Sequence, residues 1–114
     1  MTQFGGTRVF IVEDEFLLSL ALTEDLIAAG YTVVGPFSTL TSALEASRRE
    51  SFDIAVLDVN LNGETIFSLA DELGERGMPF LLLTGYGAAD LPPRFAASPR
   101  LPKPYDPSML ISEI

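Results

Sequence analysis

Short apolar runs alternate with longer segments of helical character along this chain of 114 residues, and this alternation constrains its fold more than any other feature. The runs, four strong and one weak, cover residues 9–12, 31–34, 54–57, 80–83 and 100–102. Three of the strong runs are continuously apolar, which is typical of strands covered on both faces. Strand and helix recur at intervals of about 20 to 25 residues. The pattern therefore predicts an α/β domain whose parallel sheet carries helices on both faces.

Helices are predicted in the first three intervals and near the end of the chain. The first three cover residues 16–29, 39–50 and 64–73. The last begins at Asp106-Pro107, an N-cap residue followed by proline at the first helical position. We assign the leucines of the first helix to the core, and its buried face is expected to carry Leu17, Leu20, Ala21 and Ile27.

Glycine, proline and hydroxyl residues are expected to start, end or interrupt the helices. The second helix opens on Ser and Thr capping candidates, and Gly74 and Gly77 are expected to end the third. The fourth interval departs from the regular pattern, because Pro92-Pro93 would interrupt a long helix. We therefore expect a short or irregular fourth connection.

The length suits one domain and is too short for two well-packed ones, so residues 1–114 are predicted to form a single domain. Residues 1–7 are expected to be a flexible N-terminal tail. The last helix is cut off after Ile114, which indicates a truncated final helix.

Composition excludes several kinds of site. The chain has no Cys and no His, which rules out disulfides, thiol nucleophiles, imidazole metal sites and a Ser-His-Asp triad. Seven basic and sixteen acidic residues give a net charge of −9, so nucleic acids and anionic membranes should repel the chain as a whole. It carries no secretory signal and no apolar stretch near the roughly 18 residues that span a bilayer, so a cytoplasmic location is expected.

Polar residues capable of chemistry follow the predicted strands. Glu13 and Asp14 follow the first strand, Asp58 the third, Thr84 the fourth and Lys103 the fifth. Ligands of open α/β sheets bind outside the carboxyl ends of the strands, so these side chains should converge at one edge. Close carboxylates repel one another, and Mg²⁺ held by carboxylates, backbone carbonyl and water would relieve the repulsion. A carboxylate beside Mg²⁺, with lysine and hydroxyl at hand, predicts formation of an aspartyl phosphate.

The same stretches resemble a known family over the whole chain. VFIVEDE at residues 9–15, VLDVNL at 56–61, LLTGY at 82–86 and LPKPY at 101–105 are similar to motifs in the receiver domains of bacterial response regulators. The resemblance implies the CheY-like fold, a doubly wound, flavodoxin-like sheet of five parallel strands in the order 2-1-3-4-5.

It also implies Mg²⁺ as cofactor and a set of ligands for it. Asp58 would be the phosphoacceptor and a metal ligand. Asp14 would bind the metal directly, Glu13 would reach it through water, and Asn60 would offer its main-chain carbonyl.

Three further roles follow from the resemblance. Thr84 would be the switch hydroxyl that follows the phosphoryl group, and Gly85 the small residue that gives access to it. Lys103 would be the cation that pairs with the phosphate, with a cis bond to Pro104.

The stretch at 82–86 is similar, more narrowly, to the receiver subgroup with a Phe-Ala-Thr-Gly-Tyr motif, without its Phe and Ala. Members of that subgroup are often free-standing or attached to histidine kinases. Three positions depart from the general family pattern: Glu13 replaces Asp, Asn62 replaces Pro, and Arg100 stands where many receivers carry a switch aromatic. Tyr86 is the nearest substitute for that aromatic.

The leading hypothesis is a signalling domain, not an enzyme, that takes phosphate from a histidine kinase or histidine phosphotransferase. It would act by protein contact on an unidentified downstream protein, with neither nucleic acid nor membrane as partner. The resemblance also implies a homodimer surface near the fourth helix.

Three alternatives remain open from the residues alone. A degenerate receiver would bind a partner without ever being phosphorylated. A Mg²⁺-dependent phosphatase with an Asp nucleophile would need a second acid two residues later, where the chain has Asn60. A flavodoxin-like redox protein would need a phosphate-binding loop after the first strand, where acidic residues stand instead.

Overall fold

In the computed structural model, which describes residues 7–85 and 91–114, five parallel strands form the central sheet. They are β1 (Arg8–Val12), β2 (Thr32–Phe37), β3 (Ile54–Asp58), β6 (Phe80–Thr84) and β7 (Arg100–Pro102). A small hairpin lies between β3 and β6, with strands β4 (Asn60–Leu61) and β5 (Glu64–Thr65). The sheet order is β2-β1-β3-β6-β7. Counted over the five parallel strands alone, this is the predicted order 2-1-3-4-5, and the doubly wound fold is confirmed.

Helices cover both faces of the sheet. They are α1 (Phe16–Ala28), α2 (Leu40–Arg49), α3 (Phe67–Glu75) and α4 (Pro107–Glu113). Helices α1 and α4 share one apolar core with alternate strand residues such as Ile11 and Val56. Helices α2 and α3 share the other core with Phe10 and Leu57. Because successive strand residues point to opposite faces, burial on both sides demands the unbroken apolar runs of the sequence.

The buried face of α1 was predicted wrongly. The residues that pack into the core are Ser19, Leu22 and Leu26. Leu17 and Ile27 are 77% and 57% exposed, and Leu20 and Ala21 are exposed as well. This helix is apolar around most of its circumference, so its periodicity does not select a face. Packing against the sheet and α4 selects it instead.

The start of α3 was also predicted too early, because residues 60–65 form the β4–β5 hairpin. Its two central residues, Asn62 and Gly63, have φ of 51° and 91°. Asn-Gly with positive φ at both positions is the preferred two-residue hairpin turn. At the other end the helix runs through Gly74 to Glu75, and Gly77 follows with φ of 71°. Gly77 and not Gly74 therefore marks the end.

Strand β2 is longer than predicted, and its extension helps to position the site. Gly35 has φ of 108°, and a Cβ atom there would lie 2.9 Å from the carbonyl oxygen of Ile11. The pairing of β1 with β2 is irregular between Phe10 and Val12. Beyond this irregularity the backbone N–H of Glu13 donates to the carbonyl of Phe37 over 2.9 Å. The bulge thus holds the main chain of Glu13 at the end of β1.

The fourth connection contains a 3-10 helix at Pro93–Phe95, which confirms the expected short element. Phe95 is buried and stacks on Phe67 with 5.3 Å between ring centroids. Arg94 donates two hydrogen bonds to the carboxylate of Asp71, at 2.8 and 3.0 Å. Arg100 donates to the carbonyl of Phe95 over 3.1 Å. Three separate contacts therefore hold this segment on the sheet and on α3.

The predicted helix caps are confirmed. The Thr39 hydroxyl accepts from the backbone N–H of Ser42, and the Asp106 carboxylate accepts from that of Ser108. Of the expected tail, residues 1–6 lie outside the described residues, while the carbonyl of Thr7 accepts from the N–H of Thr32. Among residues 7–85 and 91–114, no helix has the length and apolar character needed to cross a membrane.

Candidate functional site

The carboxyl edge of the sheet brings together the side chains that sequence analysis placed there. Asp58 is the last residue of β3, and Glu13 and Asp14 directly follow β1 beside it. Thr84 ends β6, and Lys103 follows β7. All these strands are parallel, so their ends meet at one edge of the sheet.

Three carboxylates form a tight cluster at this edge. Oxygen atoms of Glu13, Asp14 and Asp58, one from each, lie within 4.8 Å of one another. Glu13 is 2% exposed and Asp58 3%. Asp14 is half-buried, and its Oδ2 accepts from the backbone N–H of Asn62 over 3.0 Å. Within the described chain, the buried Oε1 of Glu13 has no hydrogen-bond partner.

Lys103 supplies positive charge to the cluster. Its Nζ donates to Asp58 Oδ2 over 2.9 Å and to Glu13 Oε2 over 3.2 Å. It also donates to Glu15 Oε1 over 3.3 Å, a contact that sequence analysis missed. The run Glu13-Asp14-Glu15 was the available signal for it. The peptide bond from Lys103 to Pro104 is cis, as the family resemblance implied.

The cluster perturbs the ionisation of its members. Burial, reinforced by the nearby carboxylate of Asp58, raises the pKa of Glu13 to about 7. Burial also raises the pKa of Asp58, although Lys103 opposes the shift. Burial alone would lower the pKa of Lys103, but its bonds to Asp58 and Glu13 outweigh that cost and raise it. The positive charge of one lysine therefore does not fully offset the cost of burying the negative charges of Glu13 and Asp58.

The residues present fit a magnesium ion. Mg²⁺ prefers oxygen ligands and is usually held by one or two carboxylates plus water. The cluster offers such oxygens beside an open cleft of about 370 Å³, and one of them is buried without a hydrogen-bond partner among the described residues. Asn60 lines the cleft, where its N–H lies 3.4 Å from Asp58 Oδ1 and its own Oδ1 accepts from Gly63.

Gly85 lines the cleft that leads to Asp58, and Thr84 precedes it as the last residue of β6. Thr84 is buried, and its carbonyl accepts from the backbone N–H of Lys103 over 2.7 Å. A Cβ atom added to Gly85 would meet nothing within 4 Å. Packing therefore does not require glycine here, and the open space lies along the cleft to Asp58. Tyr86, predicted as a substitute switch aromatic, lies outside the described residues.

Tyr105 is a buried residue near the site that sequence analysis did not single out. It packs against the α1 side of the sheet with Leu22 and Leu26. Its hydroxyl has no hydrogen-bond partner in the part of the chain that is described. Burial and the negative charge of Glu13 raise its pKa. Only its position directly after Lys103-Pro104 could have suggested this location.

The raised pKa of Glu13 predicts a pH-dependent stability. Between its ordinary pKa of 4.5 and about 7, the folded protein binds more protons than the unfolded chain. The free energy of unfolding contributed by Glu13 should therefore fall as the pH rises through this window. Mg²⁺ would replace the proton, so we expect it to raise the melting temperature more at about pH 8 than at about pH 5.

Thermal melts with and without Mg²⁺, on the wild type and Glu13→Gln, measure this effect. The difference in melting temperature between the two proteins separates the contribution of Glu13 from the general effect of the net charge. If the difference in melting temperature without Mg²⁺ stayed the same at every pH, the prediction would be contradicted.

The sheet order and the buried acidic cluster with its lysine define the class of CheY-like α/β domains. The chain belongs to the response regulator receiver domain family, whose model matches residues 9–114. Domains of this family are signalling modules of two-component systems. No curated protein sequence shows significant similarity to the chain.

Solved structures agree with this assignment. The solution structure of SdrG from Sphingomonas melonis Fr1 is similar at 34% identity, with a TM-score of 0.82, covering 98% of this chain and 94% of that one. The BeF3-activated conformation of SdrG, from Pseudomonas melonis Fr1, has 31% identity and a TM-score of 0.77, covering 99% and 95%. TrrA from Thermotoga maritima, in complex with Mg²⁺-BeF, shares the fold at 23% identity and a TM-score of 0.79, covering 94% and 95%.

Proposed function

We propose that this receiver domain accepts a phosphoryl group on Asp58 from a histidine kinase or histidine phosphotransferase in the cytoplasm, and signals by protein contact. The observation that carries the proposal is the 2.9 Å contact of Lys103 Nζ with Asp58 Oδ2, inside a cluster of three carboxylates. The cluster opens onto a cleft, so a donor can reach Asp58. The BeF3 and Mg²⁺-BeF complexes of SdrG and TrrA support the same chemistry.

In the transfer, an oxygen of Asp58 attacks the phosphorus of the donor phosphohistidine. A new O–P bond forms, and the P–N bond to the imidazole breaks, leaving its electron pair on nitrogen. Lys103 is placed to donate hydrogen bonds to the phosphoryl oxygens as charge shifts onto them. Glu13, Asp14, Asp58 and the carbonyl of Asn60 would hold Mg²⁺, which when bound neutralises charge on the transferring group.

The signal would then leave the site through β6 and β7. The Thr84 hydroxyl would bond to the phosphoryl group, with Gly85 leaving room for it. Thr84 and Lys103 are joined by a backbone hydrogen bond, so movement of one strand end affects the other. Arg100, anchored to the 3-10 helix, would carry the change to the fourth connection. If an aromatic switch operates as well, Tyr86 is the candidate.

The experiment is intact-mass measurement after incubation with acetyl phosphate, with and without Mg²⁺. We expect one phosphoryl adduct that requires Mg²⁺ and is lost in Asp58→Asn. Asp25→Asn, an exposed aspartate on α1, is the matched control and should be modified like the wild type. Treatment with hydroxylamine should remove the adduct, since it attacks acyl phosphates.

The second candidate is a degenerate receiver that binds a partner without phosphorylation. Arg100 favours it, because a side chain anchored to backbone carbonyls replaces the usual mobile aromatic. Absence of both an adduct and Mg²⁺ binding, with equal partner binding by Asp58→Asn, would establish this alternative and overturn the first proposal.

A further inference from the structure

The β4–β5 hairpin lies beside the acidic cluster and is fixed to the core at its base. The backbone N–H of Ile66 donates to the carbonyl of Val59 over 3.0 Å, which closes the base of the hairpin. Leu61 and Ile66 are buried in the core that α2 and α3 share. Asn62 and Gly63, which form the turn, are exposed. The base therefore holds the turn in a defined place at the edge of the site.

Main-chain groups of the hairpin contact two of the three carboxylates. The N–H of Asn62 donates to Asp14 Oδ2 over 3.0 Å, although the two residues are 48 positions apart in the chain. The side chain of Asn60 accepts from the N–H of Gly63 over 2.9 Å, and the N–H of Asn60 lies 3.4 Å from Asp58 Oδ1. Asp14 follows β1 and Asp58 ends β3. The hairpin therefore connects the ends of these two strands at the cluster.

The contact with Asp14 depends on the backbone conformation of the turn, because its donor is a main-chain N–H. Asn62 and Gly63 have φ of 51° and 91°. Asparagine and glycine tolerate this region, whereas β-branched residues are strained there. Proline, which the general family pattern has at position 62, carries no N–H and cannot adopt a positive φ. The hydrogen bond to Asp14 therefore depends on Asn62 of this particular chain.

From these contacts we infer that the turn formed by Asn62 and Gly63 positions the carboxylate of Asp14 for Mg²⁺ and thereby sets the affinity for the metal. The hydrogen bond occupies Oδ2 of Asp14 and leaves Oδ1 for the metal. A ligand that is already oriented loses less freedom on binding, and hydrogen bonds to ligating carboxylates increase metal affinity. The inference rests on the proposed function, in which Asp14 is a metal ligand, and it assigns a positioning role to residues outside the ligand set.

Two glycines allow a matched test of this role. Gly63 and Gly77 are both exposed and have positive φ, and a Cβ atom added to either would meet nothing within 4 Å. Valine should therefore strain the backbone at both positions, but only Gly63→Val changes the hairpin. Isothermal titration calorimetry measures the Kd for Mg²⁺. We expect Gly63→Val to weaken binding by about 10- to 100-fold, the usual cost of losing a partner of a metal ligand, and Gly77→Val to leave it unchanged.

Two substitutions of Asn62 examine the donor itself. Asn62→Pro removes the N–H and should weaken Mg²⁺ binding as Gly63→Val does. Asn62→Gly keeps the N–H and the positive φ, and should retain the affinity of the wild type. Circular dichroism checks that each variant is folded. In NMR spectra of the wild type, the amide of Asn62 should be protected from hydrogen exchange both before and after Mg²⁺ is added, and Gly63→Val should lose this protection.

The outcomes separate this inference from the proposed function. Equal Mg²⁺ affinity in the wild type, Gly63→Val and Asn62→Pro would overturn the inference and leave the proposed function unaffected. Tighter binding in these variants, or loss of the Asn62 protection when Mg²⁺ is added, would show that the turn competes with the metal and would also overturn it. A wild type that binds no Mg²⁺ would overturn both the inference and the Mg²⁺-dependent transfer to Asp58.

Discussion

Lys103→Met is expected to slow phosphoryl transfer to Asp58 by about 100-fold or more, the usual cost of removing one donor to developing negative charge. Methionine keeps an unbranched side chain but removes the ammonium that lies 2.9 Å from Asp58 Oδ2. Lys103 is the only lysine of the chain, and within the described residues no arginine forms an ion pair with the three carboxylates of the cluster. Time courses of the phosphoryl adduct by intact mass, with Mg²⁺ in excess, measure the rate.

Loss of the ammonium should also change the electrostatics of the resting site. The pKa values of Glu13 and Asp58 should rise further, since Lys103 now lowers both. The metal-free variant should therefore lose stability near pH 7 and regain it at lower pH, where the carboxylates are protonated. Lys103→Arg keeps the charge in a bulkier group, so its rate of phosphoryl transfer should lie between those of the wild type and Lys103→Met. Phosphorylation of Lys103→Met at the wild-type rate would contradict the role given to this lysine.

The single lysine also allows a direct check of the ion cluster. Reductive methylation with a ¹³C label gives one side-chain resonance besides the N-terminal amine. Because carboxylates at 2.9 and 3.2 Å stabilise its charge, the pKa of Lys103 should lie above its ordinary value of 10.5. In Asp58→Asn the pKa should fall. An unchanged titration would show that the contact with Asp58 carries little energy.

Phe95→Ala is expected to lower the free energy of unfolding by about 3 to 5 kcal/mol, the range for deleting a buried phenylalanine side chain. Phe95 is the one residue of the 3-10 helix Pro93–Phe95 that is buried, and it stacks on Phe67 and meets the edge of Phe80. Without the ring, the fourth connection loses its apolar contact with α3 and β6. Urea unfolding followed by circular dichroism gives the free energy.

The neighbouring arginine provides a control for this prediction. Arg94 lies over the Phe95 ring at 4.7 Å and pairs with Asp71, but its side chain is largely exposed. Exposed ion pairs contribute little, so Arg94→Ala should cost about 1 kcal/mol or less. Equal losses in the two variants would mean that charge, and not burial, holds the segment in place.

Most of the site could be predicted because its residues directly follow apolar runs. The positions of Glu13, Asp58 and Lys103 could be predicted from the rule that ligands bind where parallel strands end, at one edge of the sheet. Two residues beside the site, Asn62 and Tyr105, could not be predicted from that rule. The N–H of Asn62 reaches Asp14 because an Asn-Gly hairpin folds back across the site. Tyr105 turns into the core after the cis Lys103–Pro104 bond, where its side chain packs beneath α1.

The helices show where local pattern stops being informative. In α2, polar residues confine the apolar ones to one side, and the buried residues Ala43, Ala46 and Ser47 lie together on that side. In α1, apolar residues occur on nearly every side, so Leu17 and Ile27 were assigned to a core that they do not enter. A pattern selects a buried face only when polar residues exclude the others.

The sequence by itself determined the class of fold, because unbroken apolar runs can be satisfied only by strands covered on both faces. It also determined which residues stand at the carboxyl ends of those strands. Tertiary structure decided which side of α1 is buried, that Glu15 joins the contacts of Lys103, and that a largely apolar groove lies open beside Leu20. These features depend on distances between segments far apart in the chain, and such distances exist only once the sheet has brought the segments together.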